Sequence, residues 1–169
     1  MKKAIFLDRD GVINVDRGYV YKIDDFEFFP DVMTTLKYFQ QRKYLLFIIT
    51  NQSGIARGYF SQQDLEKLNA FMIDEFAKND ITISKIYFCP HLPDENCECR
   101  KPKPKMLLDA KNEFDIDMKN SWMIGDKESD MKAGQNAGLT NLILIGKKTP
   151  KSLAKYNVNS LSDTMKFIF

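Results

Sequence analysis

The sequence has little net charge and no block of five or six basic residues. Its 25 lysine and arginine residues stand against 23 aspartate and glutamate residues, which leaves a formal charge of +2 at pH 7. A protein that binds nucleic acid or an anionic membrane surface usually concentrates its basic residues, whereas here they are scattered. The sequence therefore predicts no nucleic-acid partner and no membrane-surface partner.

Long apolar runs are also missing near the N-terminus. Two lysines and an apolar run at 4–7 precede Asp8, and so short a run does not suit a signal peptide or a membrane span. We therefore expect the protein to stay in the cytoplasm. Because no heptad repeat or extended apolar patch can be read, we expect a monomer.

Cysteine and histidine are scarce, with three cysteines and one histidine. An odd number of cysteines cannot pair completely within one chain, which argues against a disulfide scaffold. All four residues nevertheless lie in one short window, which has a chance probability of roughly one in a thousand. They suit a closed tetrahedral zinc site, although their spacing differs from that of ordinary zinc fingers. The alternative is a buried strand-end cysteine with two incidental ones. The four residues are Cys89, His91, Cys97 and Cys99.

Short apolar segments alternate with longer segments of helical period, which is the pattern of parallel strands joined by crossover helices. The length of 169 residues suits one domain. We therefore predict a single α/β domain over residues 1–169. Strands are predicted at 4–7, 45–50, 85–89, 122–124 and 142–145, and helices at 31–41, 61–79, 106–114 and 128–136, with a weak one at 163–169.

The segment Asp8-Arg9-Asp10-Gly11 directly follows the first predicted strand. Open α/β sheets bind ligands at the carboxyl ends of their strands, so two carboxylates at this position are candidates for a reactive site. A polar turn that uses Gly11 for its backbone angles is the alternative, and the tetrapeptide alone favours the turn.

Three further polar segments each follow a predicted strand, and together they favour a phosphoryl-transfer site. Thr50 and Asn51 supply a hydroxyl and an amide that can bond to phosphate oxygens. Lys101 can neutralise charge on a transferring phosphoryl group. Asp126 offers a carboxylate suited to magnesium, and Asp130 can orient the site from behind it. Taken separately, the segments read as a turn, a solvated charge run and a capped helix start.

This ordered set of motifs resembles the haloacid dehalogenase-like phosphohydrolases over residues 6–138, about four-fifths of the sequence. The resemblance implies a doubly wound, three-layer αβα sandwich with a mainly parallel sheet of five or six strands. No separate cap domain is expected, because the segment 11–39 already includes a helix and the segment 54–60 is short.

The same resemblance implies the role of each catalytic residue. Asp8 would be the nucleophile that forms an aspartyl-phosphate, and Asp10 would act first as general acid and then as general base. Thr50 and Lys101 would hold the phosphoryl oxygens. Magnesium would be bound by the carboxylates of Asp8 and Asp126 and by the backbone carbonyl of Asp10.

The cysteine and histidine spacing, placed directly before Arg-Lys-Pro, resembles the zinc-loop branch of that superfamily. This branch contains heptose bisphosphate phosphatases and histidinol phosphate phosphatases. The resemblance implies a structural Zn²⁺ in a loop at 89–99, which would fix the adjoining Arg100 and Lys101.

Two segments, 11–19 and 50–58, are similar to the heptose branch nearly throughout. The resemblance implies a small-molecule sugar phosphate substrate and removal of the C7 phosphate from D-glycero-D-manno-heptose 1,7-bisphosphate, in the synthesis of nucleotide-activated heptose. For the segment 16–19 the alternative is a turn before the first helix. The residues expected to line the sugar and its phosphates are Arg9, Asp16, Arg17, Gly18, Tyr19, Asn51, Gln52, Ser53 and Arg100.

Two other interpretations remain open. The zinc loop at 92–96 is equally similar to the histidinol phosphate enzymes, and Lys105 replaces a glycine that is common in the heptose branch. Histidinol phosphate phosphatase of histidine biosynthesis is therefore the alternative. A catalytically silent, zinc-stabilised binding module is the third interpretation, and the retained Asp8, Asp10 and Lys101 argue against it.

Overall fold

The computed structural model describes residues 1–147 and 149–169. No helix in these two ranges is both long enough and apolar enough to cross a bilayer. The strands are β1 Ala4–Leu7, β2 Leu45–Asn51, β3 Lys85–Cys89, β4 Trp122–Gly125, β5 Asn141–Ile145 and β6 Tyr156–Val158. The α-helices are α1 Val32–Gln41, α2 Gln62–Lys78, α3 Lys105–Phe114 and α4 Glu128–Asn136, and 3-10 helices lie at Ile23–Asp25, Met118–Asn120 and Ser162–Lys166.

The strands form one parallel sheet in the order β3-β2-β1-β4-β5-β6. The order reverses at β1, so the loops that follow β1 and β4 leave the sheet toward opposite faces and open a crevice at its carboxyl edge. Leu7 at the end of β1 pairs with Ile48 of β2 and Ile124 of β4. The residues that follow these three strands are therefore neighbours.

The side chains of β1 alternate between two apolar layers. Ile5 and Leu7 belong to one core cluster, and Ala4 and Phe6 belong to the other. Helices α1 and α2 cover the first face of the sheet, and α3 and α4 cover the second. This is the predicted three-layer αβα sandwich. The covering side chains are Val32, Leu36, Phe39, Leu68, Met72 and Phe76 on the first face and Met106, Leu107, Ala110, Met131 and Ala133 on the second.

Helix α2 begins with a capping box. The Ser61 hydroxyl accepts a hydrogen bond from the Asp64 N–H at 3.1 Å, and the Asp64 carboxylate accepts one from the Ser61 N–H at 2.9 Å. These bonds satisfy two of the donors that a helix start leaves free. The apolar residues Leu65 and Leu68 of the following turns are fully buried, and each such burial contributes about 1.5–3 kcal/mol.

The C-terminal segment differs from its prediction. The helix predicted at 163–169 is instead the 3-10 helix Ser162–Lys166. The Thr164 N–H and the Thr164 hydroxyl both donate to the Leu161 carbonyl, at 3.0 and 2.6 Å, and this local bonding favours the tighter turn over an α-helix. The strand Tyr156–Val158 adds a sixth strand at the edge beyond β5, within the predicted five or six.

Candidate active site

The predicted catalytic side chains meet at the carboxyl edge of the sheet. Asp8 directly follows β1, Asp126 directly follows β4, and Thr50 lies near the end of β2. Lys101 comes from the loop between β3 and α3, and its Nζ lies 2.8 Å from the Asp8 Oδ1. Residues from four separate segments thus meet at one edge of the sheet.

The ammonium of Lys101 is buried and fully paired. Its Nζ donates to Asp8 Oδ1 at 2.8 Å and to the Ile49 carbonyl at 2.7 Å, and it lies 2.7 Å from Asp130 Oδ1. Three acceptors match the three hydrogens of an ammonium group. Burial acts to lower the pKa of Lys101, but the Asp130 and Asp8 carboxylates outweigh it and raise that pKa. The side chain therefore keeps its positive charge beside Asp8.

Asp130 supports the site through contacts with its other residues. Its Oδ1 pairs with Lys101, and its Oδ2 accepts hydrogen bonds from the N–H groups of Asp126 and Lys127, each at 3.2 Å. Both carboxylate oxygens are thus occupied by the protein. This matches the orienting role predicted for Asp130.

Asp126 has the opposite character. Its Oδ1 is buried and has no hydrogen-bond partner among the described residues, and one oxygen each from Asp8, Asp126 and Asp130 lie within 4.8 Å of one another. Burial, followed by the neighbouring Asp8 carboxylate, raises the pKa of Asp126 to about 8. A buried, unpaired carboxylate oxygen beside other carboxylates fits a ligand of a hard divalent cation such as Mg²⁺.

Asp10 is held by hydrogen bonds from its neighbours. Arg9 contacts its Oδ1 and Oδ2, and Asn14 donates to its Oδ1 at 3.0 Å. Gln52 donates to its Oδ2 at 3.2 Å and to the Thr50 hydroxyl at 2.8 Å. The carboxylate therefore has a fixed orientation beside the predicted nucleophile.

A cleft of about 510 Å³ opens above these residues. A smaller cavity of about 50 Å³ adjoins it and is lined by Asp8, Asp130 and residues that also line the cleft. The cleft has mixed charge, with carboxylates and basic side chains facing the same space. Its lining residues are Asp10, Asp16, Gly18, Tyr19, Asn51, Gln52, Ser53, Arg57, Arg100, Lys101, Pro102, Lys127 and Ser129.

Two of the residues predicted to contact the substrate have their side chains elsewhere. Arg9 is fully buried, and its guanidinium binds Asp10 and the Val20 carbonyl, the latter at 2.7 Å. The guanidinium of Arg17 bonds to Glu27 and to the backbone of Asp25 at the surface. The other seven predicted contact residues line the cleft: Asp16, Gly18, Tyr19, Asn51, Gln52, Ser53 and Arg100.

Four lining residues were not predicted from the sequence, namely Arg57, Pro102, Lys127 and Ser129. Arg57 donates to the Ser53 hydroxyl at 3.3 Å, and its guanidinium lies 5.8 Å from the centre of the Tyr19 ring. Arg57 lies in the segment 50–58, which is similar to the heptose branch, and Lys127 directly follows Asp126. Basic residues adjoining predicted ligands were therefore the signal that could have found these two.

The three cysteines and the histidine converge at the end of β3. Cys89 Sγ lies 3.7 Å from Cys97 Sγ and 3.4 Å from His91 Nδ1, and His91 Nδ1 lies 3.3 Å from Cys99 Sγ. All four ligand atoms lie within 4.8 Å of one another. A tetrahedron with ordinary zinc bond lengths has sulfur–sulfur edges of about 3.8 Å and sulfur–nitrogen edges of about 3.6 Å. The cluster is therefore a possible metal site of the right size.

The fold and the site together define a class of protein. A carboxylate pair after the first strand, a paired lysine and a buried, unpaired carboxylate oxygen lie together at the switch point of a parallel sheet, which is an arrangement suited to phosphoryl transfer. The chain belongs to the haloacid dehalogenase-like hydrolases, because the sequence model of that family matches residues 3–138. The fold and the family predicted from the sequence are thereby confirmed.

The chain is also similar to individual proteins of known name. The chain is 62% identical over 146 residues to the D-glycero-alpha-D-manno-heptose-1,7-bisphosphate 7-phosphatase of Campylobacter jejuni, covering 86% of this chain and 84% of that protein. It is 44% identical to the D-glycero-beta-D-manno-heptose-1,7-bisphosphate 7-phosphatase of Pasteurella multocida, covering 99% and 97%. The solved D,D-heptose 1,7-bisphosphate phosphatase of B. bronchiseptica, complexed with magnesium and phosphate, superposes with a TM-score of 0.87 at 30% identity, covering 97% and 96%.

Proposed function

We propose that this chain is a magnesium-dependent phosphatase that removes the C7 phosphate of D-glycero-D-manno-heptose 1,7-bisphosphate. The observation that carries the proposal is the buried contact of 2.8 Å between Lys101 and Asp8 at the base of a cleft of about 510 Å³. The names of the Campylobacter and Pasteurella relatives supply the substrate.

The reaction would proceed in two displacements. Asp8 attacks phosphorus and forms an aspartyl-phosphate, while the bond from phosphorus to the C7 oxygen breaks and Asp10 gives its proton to the departing alkoxide. Asp10 then takes a proton from water, which attacks the same phosphorus and releases inorganic phosphate and Asp8. The Thr50 hydroxyl would hold a phosphoryl oxygen through both steps, and the positive charge of Lys101 would offset the negative charge of the phosphoryl group.

The carboxylates of Asp8 and Asp126 and the backbone carbonyl of Asp10 would hold Mg²⁺. The unpaired Asp126 Oδ1 supports this assignment, as does the magnesium in the B. bronchiseptica structure. The bound cation would offset the repulsion between an anionic nucleophile and an anionic phosphate. The raised pKa of Asp126 has the same origin as this role, since burial beside Asp8 disfavours a free carboxylate.

The basic side chains around the cleft suit a substrate with two phosphates. Lys101 lies beside Asp8, whereas Arg57 lies near Tyr19, with Arg100 as a further guanidinium in the lining. Guanidinium groups bind phosphate well because their planar array of donors matches two phosphate oxygens. One phosphate would therefore react at Asp8 while the other is held by Arg57 and Arg100.

The cysteine and histidine cluster would hold a structural zinc. Cys89, His91, Cys97 and Cys99 are the four ligands, and tetrahedral zinc accounts for the distances between their ligand atoms. Cys99 directly precedes Arg100 and Lys101. Zinc would therefore act on catalysis by fixing the backbone that carries these two cations.

Histidinol phosphate is the alternative substrate, and the comparisons favour the heptose bisphosphate. The relatives quoted above are named as heptose bisphosphate phosphatases, and histidinol phosphate has no second phosphate for Arg57. The alpha anomer is our first choice, because identity to the alpha enzyme of Campylobacter is 62% and identity to the beta enzyme of Pasteurella is 44%. A single domain, a monomer and a cytoplasmic location stay predictions.

Steady-state kinetics on three substrates test the proposal. We expect kcat/KM to be highest for the alpha anomer of the heptose bisphosphate, lower for the beta anomer, and lower by at least about 10²-fold for histidinol phosphate. Asp8→Asn should abolish turnover while the thermal melting curve stays cooperative. Preference for histidinol phosphate would replace the substrate assignment, and full activity of Asp8→Asn would exclude the mechanism.

A further inference from the structure

The side-chain amide of Gln52 joins two parts of the catalytic machinery. Its Nε2 donates to Asp10 Oδ2 at 3.2 Å and to Thr50 Oγ1 at 2.8 Å, and the residue is 4% exposed. An amide nitrogen has two hydrogens, so these two bonds use both of them. The neighbours of the amide determine its orientation. If the amide were flipped, its oxygen would face the Asp10 carboxylate, and two acceptors would repel each other.

The contact with Asp10 crosses between two segments of the chain. Asp10 also accepts bonds from Arg9 Nη2 at 2.9 Å and Arg9 Nε at 3.2 Å, and from Asn14 at 3.0 Å. Arg9 and Asn14 are fully buried and belong to the same loop as Asp10. Gln52, which follows β2, thus joins this loop to the end of the neighbouring strand.

The contact with Thr50 determines what its hydroxyl can do. Because Thr50 Oγ1 accepts from Gln52, its own hydrogen remains available as a donor. The present acceptor of that hydrogen is the Asn51 carbonyl at 3.4 Å, which is a long hydrogen bond. A phosphoryl oxygen can replace this carbonyl at little cost.

We infer that Gln52 is a positioning residue. One nitrogen sets the separation between Asp10, which exchanges a proton with the leaving group, and Thr50, which donates to the phosphoryl group. The inference rests on the proposed function and deepens it, because the sequence predicts Gln52 only as a substrate contact. Its effect on the reaction passes through Asp10 and Thr50.

Substrates with different leaving groups distinguish the effect of Gln52 on Asp10 from its effect on Thr50. A sugar alkoxide needs the proton of Asp10, whereas p-nitrophenolate departs without one. We expect Gln52→Met to lower kcat/KM about 10²-fold for the heptose bisphosphate and only about 10-fold for p-nitrophenyl phosphate, with little change in KM for the sugar. The parameter kcat/KM reports phosphoryl transfer to Asp8, so slow hydrolysis of the aspartyl-phosphate does not mask the difference.

A double-mutant cycle provides the control. In an Asp10→Asn background, Gln52→Met should leave the ratio of kcat/KM for the two substrates unchanged, because its partner in proton transfer is already lost. Gln52→Asn, which keeps the amide on a shorter chain, gives the same measurement if the Met variant does not fold. Unfolding curves establish which variants are folded.

Three results would overturn the inference: equal losses on both substrates, a rise in KM alone, or losses that add independently with Asp10→Asn. The proposed function fails separately, if the wild-type enzyme hydrolyses p-nitrophenyl phosphate but not the heptose bisphosphate. In that case the leaving-group comparison is made with another alkyl phosphate that the wild type hydrolyses.

Discussion

The side-chain amide of Asn51 forms hydrogen bonds with both the N–H and the carbonyl of Lys101. The Lys101 N–H donates to Asn51 Oδ1 at 3.0 Å, and Asn51 Nδ2 donates to the Lys101 carbonyl at 3.3 Å. Asn51 is the last residue of β2, and Lys101 lies in the loop that follows the cysteine cluster. The lysine beside Asp8 is therefore held by the sheet as well as by the loop that carries the cysteine cluster.

Asn51→Ala should lower kcat about 10–10²-fold, because a small displacement of a catalytic group has a large kinetic effect. Steady-state kinetics on the heptose bisphosphate measure this. Asn136→Ala is a matched control, since Asn136 donates to the Pro102 carbonyl of the same loop at 3.0 Å from an exposed position. We expect the control to lose less than about twofold. A rise in KM without loss of kcat would make Asn51 a substrate contact only.

Asp130→Asn should both destabilise the protein and inactivate it. The amide places N–H groups where Lys101 or the N–H groups of Asp126 and Lys127 now require an acceptor. Breaking a buried ion pair costs about 3 kcal/mol or more, and urea unfolding followed by circular dichroism measures it. Asp64→Asn, in the exposed capping box of α2, is the control and should cost much less. Equal losses in the two variants would contradict the role of Asp130.

The sequence was sufficient to place Asp8, Asp126 and Lys101 at one edge of the sheet. Each follows a short apolar strand, and parallel strands of one sheet end at the same edge. The directions of Arg9 and Arg17 were not accessible, because a charged residue in a loop can face a ligand, a neighbouring carboxylate or solvent. Periodicity carries no information on this choice, which depends on tertiary packing.

The same limit applies to contacts between distant segments. The bonds from Asn51 to Lys101 span 50 positions, and no local pattern predicts them. The edge strand Tyr156–Val158 has three residues, too few for an alternation of apolar and polar side chains to be recognised. The features that could be predicted therefore arise from patterns over whole segments. The features that could not be predicted depend on the contacts of single side chains.

Magnesium affinity should increase with pH. The pKa of Asp126 is raised to about 8 by burial and by Asp8, so in the metal-free enzyme at pH 7 this carboxyl is mostly protonated and Mg²⁺ must displace its proton. Isothermal titration calorimetry in buffers of different ionisation enthalpy should detect proton release at pH 7 that vanishes well above pH 8. Affinity that is constant between pH 6 and pH 8 would contradict the prediction.

The stability of the metal-free enzyme should change in the opposite direction. Asp126 has a raised pKa in the folded state, so over a range of pH the folded protein binds more protons than the unfolded protein does. The free energy of unfolding therefore falls as the pH rises from the ordinary pKa of an aspartate toward about 8. Thermal melting with and without Mg²⁺ measures this. In Asp126→Asn the pH dependence should be smaller and Mg²⁺ should give little stabilisation. The same slope in that variant would assign the effect to other groups.

Removal of zinc should inactivate the enzyme. Addition of magnesium should not restore the activity. Cys97→Ser removes one ligand of the cluster and replaces none of the residues that line the cleft. We expect elemental analysis to find one zinc per chain in the wild type and a large loss in the variant, with kcat reduced because the backbone of Arg100 and Lys101 is no longer fixed. Undiminished kcat in zinc-free protein would separate this cluster from catalysis.

Gly11→Ala should weaken magnesium binding by at least about 10-fold. A Cβ on Gly11 would lie 2.1 Å from Asp126 Oδ2, so the carboxylate must move. Gly58→Ala is the matched control, because Gly58 has a similar positive φ, +76° against +89°, with open space around its Cβ position. Both variants share the backbone strain of an alanine at positive φ, about 1–2 kcal/mol, but only Gly11→Ala displaces Asp126. If the two variants lose magnesium affinity equally, backbone strain and not Asp126 controls the cation site.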